Sequence, residues 1–453
     1  MHGHRDMNAR LLALRETDAS ITDKVSAIVL ERPTGRLWMV AFALSFVLTA
    51  WLGAGIVWLL AKGVGIWGLD IPVAWAFAIA DYVWWIAIGM AGTFISGGLY
   101  LARQGWRNAL NRYAEAMTVF AVSVSGIFPI LHLGRPWFFY WLAPYPDRMG
   151  VWPQWRSSLF WDFSAIVAYL IVSVLYFYVG LIPDLATLRD RAATRGKQVF
   201  YGLLAAGWRG EARHWQRFET LNLLLAAMAV PLVFSVHSMV ALDFSEGLLP
   251  GWHSTIFPPF FVAGALFSGF GMVLVLGIPL RRFFGLGDFI TERHIANLAK
   301  LMLAAGLFVD YSYASELFNA FYSGDRYEIA HAMQELTGAY AWVYWTIIGC
   351  NVVAIQAIWF ERVRRSHAAL FVIALLVLVG MWFERFELII SSLYHDFLPS
   401  SWGMFYPTVW DIAFLAGSIG LFFLLFLLFV RLLPLLPMFE LRKLRARLER
   451  EGA

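Results

Sequence analysis

The chain has 453 residues, of which 60% are hydrophobic, 17% aromatic and only 15% charged, with a formal net charge of +4. Soluble globular chains carry about 25% charged residues, so a water-soluble fold is excluded, and so small an excess of positive charge gives no reason to expect nucleic acid. The single cysteine, Cys350, excludes an internal disulfide, an iron–sulfur cluster held by this chain alone and a Cys-x-x-Cys-His haem attachment.

In chain order, residues 1–36 are polar and mixed in charge, with no apolar core, and do not read as a cleaved secretory signal. Ten apolar stretches follow, at 37–61, 82–102, 114–133, 160–182, 220–241, 257–280, 296–318, 338–360, 367–392 and 408–433. Each approaches or exceeds the roughly 20 helical residues that a bilayer core of about 30 Å requires, and most are bounded by Pro, Gly or charge. The fold class predicted is an all-α polytopic membrane protein. The connecting segment 134–159 is rich in Pro136, Trp137, Tyr140, Trp141, Pro144, Trp152 and Trp155. It reads as an ordered outer loop at headgroup level beneath a partner protein. The segment 183–219 is long and basic, with an interfacial helix expected over 198–208, and 434–453 reads as a short basic helix on the inner surface. With the N-terminus inside, 28 Lys and Arg fall on inner segments (Arg431 counted with the tail) and 5 on outer ones, with Lys300 and Arg385 inside spans. The positive-inside rule therefore supports an even number of spans and two cytoplasmic termini.

An ionisable residue within a span costs about 2.5–3.5 kcal/mol on insertion scales and is a functional candidate for that reason. One group falls at outer helix ends: Asp81, His132, Asp162, His237 and Asp243. Two imidazoles and three carboxyls at one level make a candidate acid–base pocket, in which a carboxylate orients a ring that takes a proton near neutral pH. The plainer readings are a hydrogen-bonded interfacial histidine and a first-turn or capping acid, the latter favoured for Asp81. His253, Asp147 and Asp396 read as solvated loop residues. A deeper group lies in the seventh and ninth stretches. Asp310 is 14 residues into its span, roughly 21 Å from the inner end, with Glu316 further out, and Glu384, Arg385 and Glu387 sit in the outer half of theirs. This second group is either an ion-pair network locking helices or a proton path, extended by Tyr311, Tyr313, Tyr340 and Tyr344. No metal site and no Gly-rich phosphate motif is read. A two-haem relay would need a second histidine pair at the inner side, so no haem is expected in this chain.

Four segments carry a resemblance: Asp81-Tyr-Val-Trp-Trp-Ile-Ala-Ile-Gly with Ala91-Gly-Thr, Tyr113-Ala-Glu-Ala-Met-Thr-Val-Phe, Ile127-Phe-Pro through His132-Leu-Gly-Arg135, and Tyr394-His-Asp-Phe-Leu-Pro-Ser-Ser-Trp402. Together they resemble the NrfD/polysulfide-reductase family of integral membrane proteins, and within it the quinol-site membrane component of the quinol-oxidising alternative complex III, over residues 37 to 433. The resemblance implies two four-helix bundles, over 82–241 and 257–392. The segments 1–36 and 37–81 precede them, and 408–453 closes the chain. It implies a quinol site (menaquinol or ubiquinol) in the first bundle near the outer surface, formed by His132, Asp162, His237 and Asp243 with Arg135 and Trp137. His132 and Asp162 would be the catalytic pair. A proton path is implied through Asp310, Glu316, Glu384, Arg385 and Glu387, with Asp81. Many relatives carry His where this chain has Met90, a departure that speaks against a proton path through the second span. The implied partners are a periplasmic iron–sulfur subunit, multihaem cytochrome c subunits and a homologous second membrane subunit. The implied location is the bacterial inner membrane. A proton-coupled transporter and a site-less anchor of a periplasmic redox complex are the alternatives that buried carboxylates and many spans also allow.

Overall fold

Inside lipid a backbone can satisfy its own hydrogen bonds only by coiling into a helix or closing a barrel. The computed structural model describes residues 11–12, 16–142 and 155–450, and among these every regular element is helical. The main helices are α1 (Asp18–Leu30), α2 (Arg36–Lys62), α3 (Phe77–Leu101), α4 (Asn111–His132), α5 (Ser158–Arg191), α6 (Arg195–Leu204) and α7 (Ala212–Ser245). Next come α8 (Phe257–Phe284), α9 (Glu292–Tyr322), α10 (Arg326–Thr337), α11 (Ala341–Trp359), α12 (His367–Ser391), α13 (Val409–Leu432) and α14 (Met438–Arg450). All except α1, α6, α10 and α14 are long and apolar enough to cross a membrane, which makes the chain a multi-pass membrane protein, with the ten spans expected found among the described residues.

The differences are at the ends. α5 and α7 run 34 residues each, longer than a bilayer needs, and project beyond it. The interfacial helix is α6, three residues earlier than expected. α1 and α10 lie where the sequence suggested plain polar segments. Pro144, Asp147 and Trp152 lie outside the described residues.

Burial separates the spans. The apolar window of α3 is 94% buried and that of α2 only 17%, so α3 is central and α2 faces lipid. α3, α4, α5 and α7 pack as one group and α8, α9, α11 and α12 as another, with α8 also lying against α3 and α7. The α3–α8 approach is close because Gly269 meets Ala91 and the Ile88 carbonyl. Small residues take this role where lipid supplies no hydrophobic force between helices. α2 pairs with α13 by the same device, Gly417 and Gly420 lying against Leu48 and Leu52. At the opposite face of the membrane from the acidic cavity described below, here called the basic side, α14 docks through buried Glu440. Glu440 accepts from Asn111 at 3.1 Å and pairs with Arg107 at 3.0 Å. Arg445 of α14 donates to Asp18 of α1 at 2.8 Å, so the two ends of the described chain meet on one side, as an even number of spans requires.

Candidate functional site

α4 does not run straight to its far end. Pro129 has no N–H and its ring crowds the carbonyl four residues back, and the helix breaks at Gly126 before resuming over Ile127–His132. The short terminal piece carries His132 among aromatic rings. Trp67 stacks on its ring at 6.3 Å and Trp75 meets it edge-on at 6.4 Å. Trp75 continues to Phe244 at 6.2 Å and Trp252 at 5.9 Å. His132 Nδ1 is buried without a hydrogen-bond partner among the described residues.

Across the same end of the first group lie two carboxyls. Tyr82 of α3 donates to Asp162 Oδ2 at 2.5 Å, and Asp243 of α7 lies within hydrogen-bonding reach of both Asp162 and Ser158. One oxygen of each acid, Asp162 Oδ1 and Asp243 Oδ1, is buried and unclaimed by any donor. Facing acids with buried oxygens, one of them bonded by a phenol, have the chemistry to share a proton between them.

Four expectations change here. The pairing of Asp162 with His132 is not made, because Tyr82 and Asp243 occupy Asp162 while His132 packs on tryptophan. His237 does not stand at a helix end. α7 continues to Ser245, which leaves His237 six residues below Asp243, roughly 9 Å deeper. Both its nitrogens face backbone carbonyls, Val233 of its own helix at 2.8 Å and Ile86 of α3 at 3.2 Å; a neutral ring has one N–H and donates to one of the two, so neither nitrogen faces an open site. Asp81 is no cap: α3 begins at Phe77, and Asp81 is fully buried in the next turn, where Trp382 of α12 donates to it at 2.8 Å. Arg135 and Trp137 lie exposed beyond His132. Asp396 is no idle loop acid, since it accepts from the Leu398 amide and the Ser401 hydroxyl, each at 2.9 Å.

The second group holds a polar ladder. Asp310 accepts from Gln356 at 3.1 Å. Three residues on, the Tyr313 hydroxyl donates to Glu384 and accepts from Asn351 at 2.9 Å. Arg385 lies 3.0 Å from Glu384 and over the Phe261 ring at 4.2 Å, yet none of its nitrogens makes an aligned hydrogen bond. Above them opens a cavity of about 350 Å³ walled by Glu316, Glu328, His331, Glu335, Glu384 and Glu387 among others. His331 pairs with Glu335 at 2.8 Å, and ligand atoms of His331, Glu335 and Glu387 lie within 4.8 Å of one another, reach enough for a metal ion. Burial lowers the His331 pKa and pushes the Glu335 carboxyl up to about 7. Asp81 is not part of this ladder, as Trp382, which reaches it, projects roughly 200° around α12 from Glu384.

Tyr82, Trp67, Trp75, His331 and Glu335 escaped the sequence reading. The aromatics are unremarkable in an apolar stretch, and α10 is too polar to register as part of a membrane site. Comparison with known proteins bears on the family. Residues 68–395 match the family described as polysulphide reductase, NrfD. A Halobacterium salinarum protein named as a putative membrane subunit of dimethyl sulfoxide reductase is 25% identical over 358 residues, which cover 76% of this chain and 77% of that protein.

Proposed function

The chain belongs to the polysulphide reductase NrfD family, whose members are membrane subunits of redox complexes, and from that premise we propose that it oxidises quinol at the far end of its first helix group. The observation that carries the reading is the set of unclaimed buried atoms there: His132 Nδ1, Asp162 Oδ1 and Asp243 Oδ1, beside an aromatic slot. A quinol offers two hydroxyls on a flat ring, and it loses two protons and two electrons to become quinone. The ring enters beside Trp75, past Arg135 and Trp137, which frame the approach from lipid. His132 accepts the proton of one hydroxyl. The Asp162–Asp243 pair accepts that of the other, with Tyr82 fixing Asp162 in place. Both protons leave to the nearby surface opposite the basic side, and the electrons pass to an iron–sulfur subunit docked there, with haem c proteins beyond it. The chain then serves a respiratory or photosynthetic complex of the alternative complex III kind, in a bacterial inner membrane with its basic side toward the cytoplasm. Menaquinol and ubiquinol both fit this chemistry.

The polar ladder favours a second role in the same complex. Asp310, Glu316, Glu384 and Glu387 stand as successive proton carriers, and Arg385 is a fixed charge among them.

Quinol oxidation by the purified complex tests the site. His132→Ala and Asp162→Asn are expected to assemble and to lose about 100-fold or more in rate. If both turn over normally, the quinol site is elsewhere and the transporter or anchor reading takes its place.

A further inference from the structure

At the basic side, the ends of α2, α8 and α13 leave a slot of about 330 Å³ between them. Its walls are apolar, with Trp38, Phe283, Phe284 and Phe426 prominent. Along α8 it runs from Val275 to Phe284, roughly 14 Å into the membrane. Two guanidinium groups stand at its mouth. Arg32 donates to the Phe283 carbonyl at 2.5 Å and lies over the Phe284 ring at 4.7 Å. Arg431 donates to the Arg32 carbonyl at 2.6 Å. Neither forms a salt bridge among the described residues, and the nearest acid in sequence, Glu31, is exposed and unpaired with either. Carbonyls orient these arginines without neutralising them.

We propose that the slot seats one anionic phospholipid, its phosphate on Arg32 and Arg431 and an acyl chain between α2, α8 and α13. Three features select this occupant. The charge at the mouth is positive and uncompensated, and basic pockets between membrane helices on the inner side take such headgroups. The slot lies at headgroup level and runs inward, as an acyl chain does. Arg32, Thr34 and Arg431 stand at its mouth, and the Trp38 N–H is already committed to the Leu427 carbonyl at 3.3 Å, which leaves no donor in the walls to hold a quinone ring. The lipid would join α2, which buries little of itself against protein, to the core helix α8.

The test uses the intact complex, reconstituted in vesicles of equal phosphatidylglycerol and phosphatidylcholine, re-extracted, washed in detergent and weighed by native mass spectrometry. Wild type is expected to retain phosphatidylglycerol over phosphatidylcholine by about tenfold or more. The double variant Arg32→Gln/Arg431→Gln is expected to lose that preference. Ala41→Trp, which fills the slot and leaves both arginines, is expected to lose the lipid altogether. Equal retention of the two lipids by wild type overturns the proposal without any variant. So does retention of quinone in place of phospholipid, or a double variant that still prefers phosphatidylglycerol.

Discussion

Tyr82 holds Asp162 by a single short hydrogen bond between two buried side chains. Tyr82→Phe keeps the ring and removes only the donor, so on the proposed reading the complex should assemble while quinol oxidation falls roughly 10- to 100-fold. An unchanged rate would mean that Asp162 needs no such support. His395 offers a different measurement, because it stacks on Trp402 at 3.7 Å and burial lowers its pKa. The folded loop therefore prefers the neutral ring. Its stability is full above the ordinary value near 6.5 and declines as pH falls below it. Hydrogen exchange over 396–403, corrected for its intrinsic pH dependence, should quicken between about pH 7.5 and 5.5, and a His395→Gln chain should lose that dependence. His132, Asp162 and Asp243 were legible in the sequence because charge in an apolar stretch is costly and conspicuous. Their partners were not, since whether Asp162 meets His132 or Tyr82 depends on how α3, α4 and α5 are rotated about their own axes, and no local pattern encodes that.

The spans were legible as elements because length and hydropathy suffice for them, and α14 as a basic helix, whereas α1 and α10 hide behind polar composition. What α14 packs against was not legible. It reads as a basic surface helix, yet Glu440 on its buried face joins Arg107 and Asn111 beneath the first helix group. Removing one charge leaves the other buried and alone, at a cost of about 3–5 kcal/mol. Arg107→Met and Glu440→Met should each lower the melting temperature of the purified complex sharply, and the double variant should recover much of the loss. Losses that simply add would show that the pair is not coupled. Nor does sequence reveal the π-helical turns at Ile348–Val353 and Glu387–Ser391. These lie where Asn351 and Glu387 enter the polar ladder, and such turns gather at functional places in helices.

At the scale of the whole molecule, α8 is the wall common to both helix groups, and Gly269 is its closest approach to α3. A Cβ there would stand 2.5 Å from that of Ala91 and 2.9 Å from the Ile88 carbonyl. Gly269→Leu should therefore force the groups apart and cost at least about 1–3 kcal/mol in thermal stability, and Gly269→Ala less. A leucine accepted without loss would mean that the wall is looser than its packing implies. The Asp18–Arg445 contact has a separate consequence. Segments leaving these two residues could be spliced by a short linker, and the ring so formed reopened at the turn holding Gly207 and Gly210, both at positive φ on the same side of the membrane. Such a circular permutant would deliver α2, α3, α4 and α5 at the end of translation instead of the start. Yet every span would keep its direction across the bilayer, so the permutant would separate the order in which the ribosome delivers the helices from the order in which they pack.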